Sequence, residues 1–594
     1  MKSFPLLTFY QVFFILVIMF LYNISLINTL KAQGFLKTEG QKIVDEHGKN
    51  VLLRGIGFGG WMLQEGYMLR IYNEAQQHNI KEKIEGLIGP DKTTEFYDIW
   101  LKSHVSKVDI DSLKAWGFNS VRLPMHYNLY TLPVEQEPIK GEQTWLPRGF
   151  EMTDSLLSWC TSNQMYLILD LHAAPGGQGN DLNISDRNPE LPSLWESEEN
   201  RQKTIELWKK LAARYKNEKW IGAYDIINEP NWGFADPKND RNGLNEPENG
   251  PLKKLLVDIT DAIRSVDKNH IIIIEGNGWG NNYRGILPVW DDNMVLSFHK
   301  YWNYNDKQSI SNILKIRGDE DVPVWLGETG ENSNVWFTQA IELLEAHNIG
   351  WAWWPLKKIG FNNPLEIKFT KEYESILNYW KGEGAKPSES DAYKILMDLA
   401  ESARLENCII HYDVLDAMFR QVYSLETIPF KSHKVSKSFK IPAVEYDLGR
   451  NGFAYYDLDT ANYYISVEST RNVGNRGNVF RNDGVDIEQA DDDEFYINHI
   501  EDGEWLLYTF EMDKKESIDL LLEVSSENAQ GRFSIQIDGK PIQPNVAVPD
   551  TKGFDNWLEV GLKNIELESG MHKLRVKAEK GGYQLKSIRF QINP

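Results

Sequence analysis

The sequence predicts an α/β protein in two folded parts, a (β/α)8 TIM barrel followed by an all-β jelly-roll sandwich. Eight apolar, β-branched runs alternate with amphipathic helical patterns between residues 33 and 405, as a barrel requires. After residue 440 the pattern changes to short alternating strands separated by Gly, Asp and Asn turns, the mark of an antiparallel sandwich. Hydrophobic residues make up 41% and charged residues 25% of the 594-residue chain, which supplies apolar side chains for two cores and excludes disordered or fibrous classes.

Charge narrows the partners. The net charge of −22 repels phosphate backbones and anionic lipid, so nucleic acid is excluded as a partner. Two cysteines, Cys160 and Cys408, permit at most one disulfide and no cysteine-rich metal site. The 20 Trp and 26 Tyr exceed the needs of a core, and flat apolar rings with a polar edge suit sugar faces.

In chain order, Lys2 and the largely apolar run Phe4 to Leu30 predict that residues 1–32 direct export. Cleavage after Ala32 fits a signal peptide, whereas Leu30 at the minus-three position departs from the small-x-small rule and fits an uncleaved anchor. Either reading makes the chain secreted or attached to the cell envelope, with no other membrane contact. The barrel occupies 33–405. Its strands are expected at 51–57, 120–125, 166–172, 221–228, 270–276, 294–299, 322–327 and 350–354, as buried parallel strands. Helical patterns lie at 107–117, 149–163, 200–215, 251–266 and 335–347. The competing open sheet needs a phosphate loop after its first strand, and GIGFGGW places aromatics there.

Barrel enzymes carry their chemistry at the C-terminal strand ends. Arg122, His126, His172, Asn228, Glu229, His299, Tyr301 and Glu328 all fall there. The histidines lie on different strands and HExxH is absent, so no catalytic metal or cofactor is expected. Glu229 in IINEPNW and Glu328 in WLGETGE face one mouth once eight strands close, near Trp232, Trp325 and Trp354. Two such carboxyl groups can divide the acid and nucleophile or base roles of glycosidic cleavage. Either one alone would be read as an ion pair or loop cap.

On these motifs, residues 33–405 resemble glycoside hydrolase family 5, a family of retaining enzymes in the cellulase-like clan. The resemblance implies that Glu229 is the general acid/base and Glu328 the nucleophile. It also implies that Asn228 holds the sugar 2-hydroxyl, that Arg122 and Tyr301 orient Glu328, and that His172 and His299 line the reacting subsite. Trp354, or its neighbour Trp353, would form the sugar platform. The segment RGIGFGGWMLQEGYM and the run DLHAAPGGQG resemble the exo-β-1,3-glucanase branch, in which a glutamate at the position of Glu65 binds the terminal glucose. The expected activity is hydrolysis of β-glucan, with β-1,3-glucan (laminarin) favoured over the β-1,4-glucanase and mannanase alternatives. A non-catalytic glycan-binding protein would be expected to lack part of this set.

Residues 406–439 are expected to form a helical extension, mostly helix over 406–430, and a basic linker over 431–440. Residues 440–594 resemble the family 6 carbohydrate-binding module in IPAVEYDLG, GFAYYDLDTAN, VDIE, GEWLLYT and YQLKSIRF. That resemblance implies sugar contacts at Tyr456, Trp557 and Gln584, with Trp505 in the core. Val444 and Gln584 depart from the residues usual in that family. Some modules of that family hold a structural calcium through carboxylates, so calcium is the one ion the resemblance allows, and the 491–494 run DDDE reads as a solvated turn. The partner is thus a polysaccharide met by a monomer, and a module that only raised local concentration would act independently of the cleft.

Overall fold

A computed structural model of the chain describes residues 34–72, 74, 76–461, 476–490 and 494–593. The export segment and Asp491 to Asp493 lie outside the described residues. Glu494, the last member of the DDDE run, pairs with Lys586. No helix among the described residues is long and apolar enough to cross a membrane.

The eight expected strands form one sheet: β1 (Arg54–Ile56), β2 (Ser120–His126), β3 (Tyr166–Ala173), β4 (Ile221–Asp225), β5 (Ile271–Glu275), β6 (Met294–Lys300), β7 (Val324–Gly330) and β8 (Gly350–Trp354). Their spatial order is β1-β8-β7-β6-β5-β4-β3-β2, with parallel pairs along the sheet. The ring closes where the Gly57–Arg122 bridge joins β1 to β2, with the Asn119 N–H donated to the Arg54 carbonyl at 3.0 Å. Helices such as Lys107–Trp116 and Glu198–Tyr215 bury apolar faces against the outside of the ring.

Inside the ring, the N-terminal halves of the strands pack Tyr166, Ile168, Ile271, Ile273, Val295 and Ala352 around Trp325. Leu36 and Ile43 of the N-terminal hairpin plug this end. Trp325 is therefore a floor residue and not a neighbour of the mouth, because it is the second residue of its strand.

Two antiparallel sheets face each other after the barrel, one built on Trp505–Met512, Gly570–Lys580 and Arg532–Ile537, the other on Gln584–Ile592, Glu516–Ser526 and Gly553–Leu567. Tyr508, Phe510, Leu520, Leu522, Phe533 and Phe590 fill the space between them. The 406–430 segment is less helical than expected. Helices cover Tyr412–Met418 and Arg420–Tyr423, and Ile409–Ile410 pairs instead with Leu365–Glu366. The basic 431–440 stretch holds strand residues of the sandwich. Lys434–Val435 joins one sheet and Phe439–Pro442 the other, because Val435 and Ile441 point into the core between exposed lysines.

Candidate active site

Side chains alternate along a strand, so Ile168, Asp170 and His172 share the inner side of β3, as do Ile273 and Glu275 on β5 and Val295, Ser297 and His299 on β6. The lower members are apolar floor and the upper ones are ionisable. They converge on Arg122, which is fully buried. Its Nε and Nη2 donate to Asp225 at 3.0 and 2.8 Å, and Nη2 also donates to Asn228 Oδ1 at 2.8 Å and Glu275 Oε1 at 3.1 Å. Nη1 donates to Glu328, and Asp170 Oδ1 stands 3.4 Å from Nη2. One guanidinium thus organises four carboxyl groups, and the desolvation of each is tolerable only because they share it.

Glu229 and Glu328 lie at this mouth, each with an oxygen within 4.8 Å of the other and of His299. The Tyr301 hydroxyl donates to Glu328 Oε2 at 3.3 Å. Both oxygens of Glu328 therefore meet donors, one of them positively charged. Burial pushes the Glu229 carboxyl up to about 7, with the His299 bond opposing the shift and the nearby Glu328 adding to it. Burial alone would lower His299, but Glu275, Glu328 and Glu229 surround the ring and hold it well above its ordinary value. Glu229 also occupies a left-handed backbone conformation, φ +42°, which an L-residue adopts at a cost. The Glu275 carboxylate fixes it by accepting the Glu229 N–H at 2.8 Å.

His172 is set by the same network. Burial pushes its imidazole down to about 3, so the ring is neutral. Its Nδ1 faces Asp170 at 2.8 Å and its Nε2 faces the Asn228 amide nitrogen at 3.3 Å. A neutral ring must donate through Nδ1 and accept through Nε2 here, which also fixes the Asn228 amide. Gln178 of the DLHAAPGGQG run ties the two strand ends, donating to the His172 carbonyl at 2.7 Å and the Asn228 carbonyl at 3.0 Å.

Trp354, not Trp353, faces the mouth. Trp354 stacks on His172 with ring centroids 5.0 Å apart and an interplanar angle of 10°, and its Nε1 donates to the Tyr67 hydroxyl at 3.2 Å. Trp353 points outward and packs on Phe337. A Cβ on Gly57 would come within 2.5 Å of the Trp354 ring, and one on Gly59 within 2.7 Å, so the glycines of GIGFGG make room for this ring. Gly327, just before Glu328, makes room for the neighbouring strand instead, since a Cβ there would meet Ser297 Oγ at 2.3 Å and His299 Nε2 at 3.0 Å. Glu65 completes the wall 3.8 Å from His172 Nε2. Burial, with Glu328 and Glu331 nearby, raises its carboxyl well above the usual range.

Of the expected barrel residues, Glu65, Arg122, His172, Asn228, Glu229, His299, Tyr301, Glu328 and Trp354 form one connected set. His126 does not join it. Its Nε2 faces Asp186 at 2.9 Å, and Asp186 also meets His78 at 2.8 Å. That pair borders a cavity of about 590 Å³ beside the mouth, lined also by Tyr97 and Tyr127. Asp170, Asp225 and Glu275 were missed. Asp170 and Asp225 sit inside runs that read as apolar, and the inward period of two is the signal that marks them; Glu275 closes its own run ahead of Gly276 and Asn277, so the strand-end signal marks it. Glu275→Ala strands the Glu229 N–H and removes one carboxylate from Arg122 and His299, and is expected to destabilise the fold by about 3–5 kcal/mol, read as a lower midpoint in urea unfolding.

Glu229, His299 and Glu328 are also the group of donors, among the described residues, close enough to hold a metal. The Arg122 guanidinium on Glu328 and the bond between Glu229 and His299 oppose a cation there.

In the sandwich, Tyr456 is 38% exposed and pairs across strands with Trp505. Trp505 is half-buried, with the Arg575 guanidinium 4.0 Å over its ring, so it is not core as expected. Both line a cleft with Asn498 and Glu504. Gln584 is buried behind it, donating to Asn498 Oδ1 at 3.1 Å and accepting from Ser525 at 2.8 Å. Trp557 does not line the cleft; it packs edge-on against Tyr496 at 5.5 Å under Lys586. Val444 is core, 2% exposed.

Residues 77–359 match the family model described as cellulase (glycosyl hydrolase family 5), and residues 478–592 match the carbohydrate binding module (family 6). A β-xylosidase of Phanerodontia chrysosporium is 30% identical over 45% of this chain and 52% of its own length. Endoglucanase C of Acetivibrio thermocellus is 28% identical over 34% and 54%. A probable glucan 1,3-beta-glucosidase A of Aspergillus clavatus is 24% identical over 43% and 57%. The chain thus spans about half the length of these curated relatives. The set around Arg122 lies within the first match from Arg122 to Trp354, and only Tyr67 and Glu65 precede it. The barrel belongs to glycosyl hydrolase family 5 and the sandwich that follows it to the family 6 carbohydrate-binding modules.

Proposed function

We propose that the protein is an exported retaining β-glucan hydrolase that works by double displacement, with β-1,3-glucan as the favoured substrate. The observation that carries this is the pair of opposed carboxyl groups, with oxygens within 4.8 Å, close to the separation of about 5 to 5.5 Å used by retaining pairs and short of the roughly 6.5–9.5 Å of inverting ones. Glu229, pushed up to about 7, holds a proton for the departing oxygen. Glu328 attacks the anomeric carbon, and its second oxygen stays bonded to Tyr301. The C–O bond to the leaving sugar breaks as the Glu229 proton moves to that oxygen. Glu229 then takes a proton from water, which displaces Glu328 and preserves the anomeric configuration.

Glu65 stands beside the His172–Trp354 stack, and the resemblance of its segment to the exo-β-1,3-glucanase branch, in which a glutamate there binds the terminal glucose, supports the 1,3-glucanase reading over the β-1,4-glucanase and mannanase ones. The names of the relatives also include an endoglucanase and a β-xylosidase, so the deciding assay is reducing-sugar release from laminarin, carboxymethyl cellulose, xyloglucan, xylan and mannan. Laminarin should be cleaved fastest, with the β-anomer formed first by NMR. An initial α-anomer would refute the mechanism, and a faster rate on xylan or cellulose would reassign the substrate.

The sandwich is proposed to bind the same polymer in the Tyr456–Trp505 cleft. Trp505→Ala in the full chain should weaken retardation in laminarin gels several-fold, because a stacking ring is lost. Unchanged migration would remove the cleft from the binding site.

A further inference from the structure

The sandwich docks on the segment that carries Glu328 into the next helix. β7 ends at Gly330, and the chain runs through Glu331, Asn332 and Ser333 into helix Asn334–Ala346. Asn482 of the sandwich donates through Nδ2 to the Asn332 carbonyl at 2.8 Å and to Asn334 Oδ1 at 3.1 Å. Its own carbonyl accepts the Asn334 N–H at 2.7 Å. Asp413 of the extension joins both partners, accepting the Asn334 amide and the Asn482 N–H, each at 2.8 Å. The Ser333 hydroxyl donates to the Thr460 carbonyl, and Ala461 packs in the hydrophobic core of the barrel.

These groups are nearly dry: Asn332, Asn334, Asp413 and Asn482 are each 4% exposed or less. Buried amides bond to a partner or cost stability. Undocking the sandwich would leave this set to find water all at once, so the contact behaves as a unit and not as a loose tether. From it a short path leads to the chemistry. Glu331 presents its carbonyl to Trp302 Nε1 at 3.1 Å and its carboxylate to Lys358 Nζ at 2.6 Å. Trp302 follows Tyr301, whose hydroxyl bonds Glu328.

We propose that Asn482 is a positioning residue: the sandwich clamps the 331–334 segment, and the Glu328 and Tyr301 geometry is complete only while it is docked. This rests on the reading of Glu328 as nucleophile. It departs from the expectation that the module acts only by raising local concentration, because that role needs no buried bond to the loop of the nucleophile.

Native-state hydrogen exchange of the full chain in rising denaturant tests the clamp without reference to activity. The Asn334 amide should lose protection together with strands Trp505–Met512 and Glu516–Ser526. Protection that outlasts theirs would overturn the proposal. In the full chain, Asn482→Ala should speed exchange over 328–334 and lower kcat on a short aryl β-glucoside roughly tenfold or more, with KM much less affected. A folded variant with unchanged kcat and unchanged exchange would also overturn it. Should the variant not fold, exchange in the natural chain decides alone. Should the natural chain cleave no glycoside, the functional reading fails and the exchange result still stands or falls by itself.

Discussion

Replacing Glu328 by alanine is expected to lower turnover of laminarin by on the order of 10⁴-fold or more, since the covalent path closes when the nucleophile is lost. The fold should survive, because Arg122 keeps Asp225 and Glu275 as partners. Truncation also leaves a small space beside the anomeric carbon. Azide can enter it, attack from the side Glu328 occupied and restore cleavage of an activated aryl glycoside, forming an α-glycosyl azide while Glu229 remains in place. A β-configured azide, or rescue absent on every activated substrate, would remove Glu328 from the nucleophile role.

Glu229→Ala should slow natural glucans by about 10²- to 10⁴-fold, the usual range for a lost general acid. Aryl glycosides with acidic leaving groups need no proton, so the first chemical step on them should be much less affected. Equal losses on both substrate types would void the assignment. The acid must be protonated to act, and its carboxyl lies near 7. The kcat/KM of the natural enzyme should therefore fall as pH rises through about 7, and Glu229→Gln should abolish that alkaline limb. A pH profile that keeps its limb in the variant assigns it to another group.

Much of the site was legible because strand ends are local features. Apolar runs that stop at a polar residue suffice to locate His172, Asn228, Glu229, His299 and Glu328, and parallel closure brings them to one face, whereas Arg122 is the third residue of β2 and lies inside its run. Glu275 ends its run and is marked as the strand-end residues are, but the same pattern hides Asp170 and Asp225, whose immediate neighbours are apolar. It puts Trp325 at the mouth for want of a depth scale along β7, where two residues separate floor from rim. In the sandwich it makes Trp505 core, although alternation with buried Leu506 turns it outward beside Tyr456.

By itself the sequence determined the two folds, the carboxyl pair and the sugar-binding character, since each follows from periodicity, strand ends and aromatic content within a few residues. Only the tertiary structure decided that Arg122 gathers four carboxyl groups, that Trp354 rather than Trp353 faces His172, and that Asn482 reaches Asn334 across 148 residues. Such contacts arise when the ring closes and the sandwich docks. Desolvation then selects which polar groups share a partner, and that selection depends on distances in space that neighbouring residues do not encode.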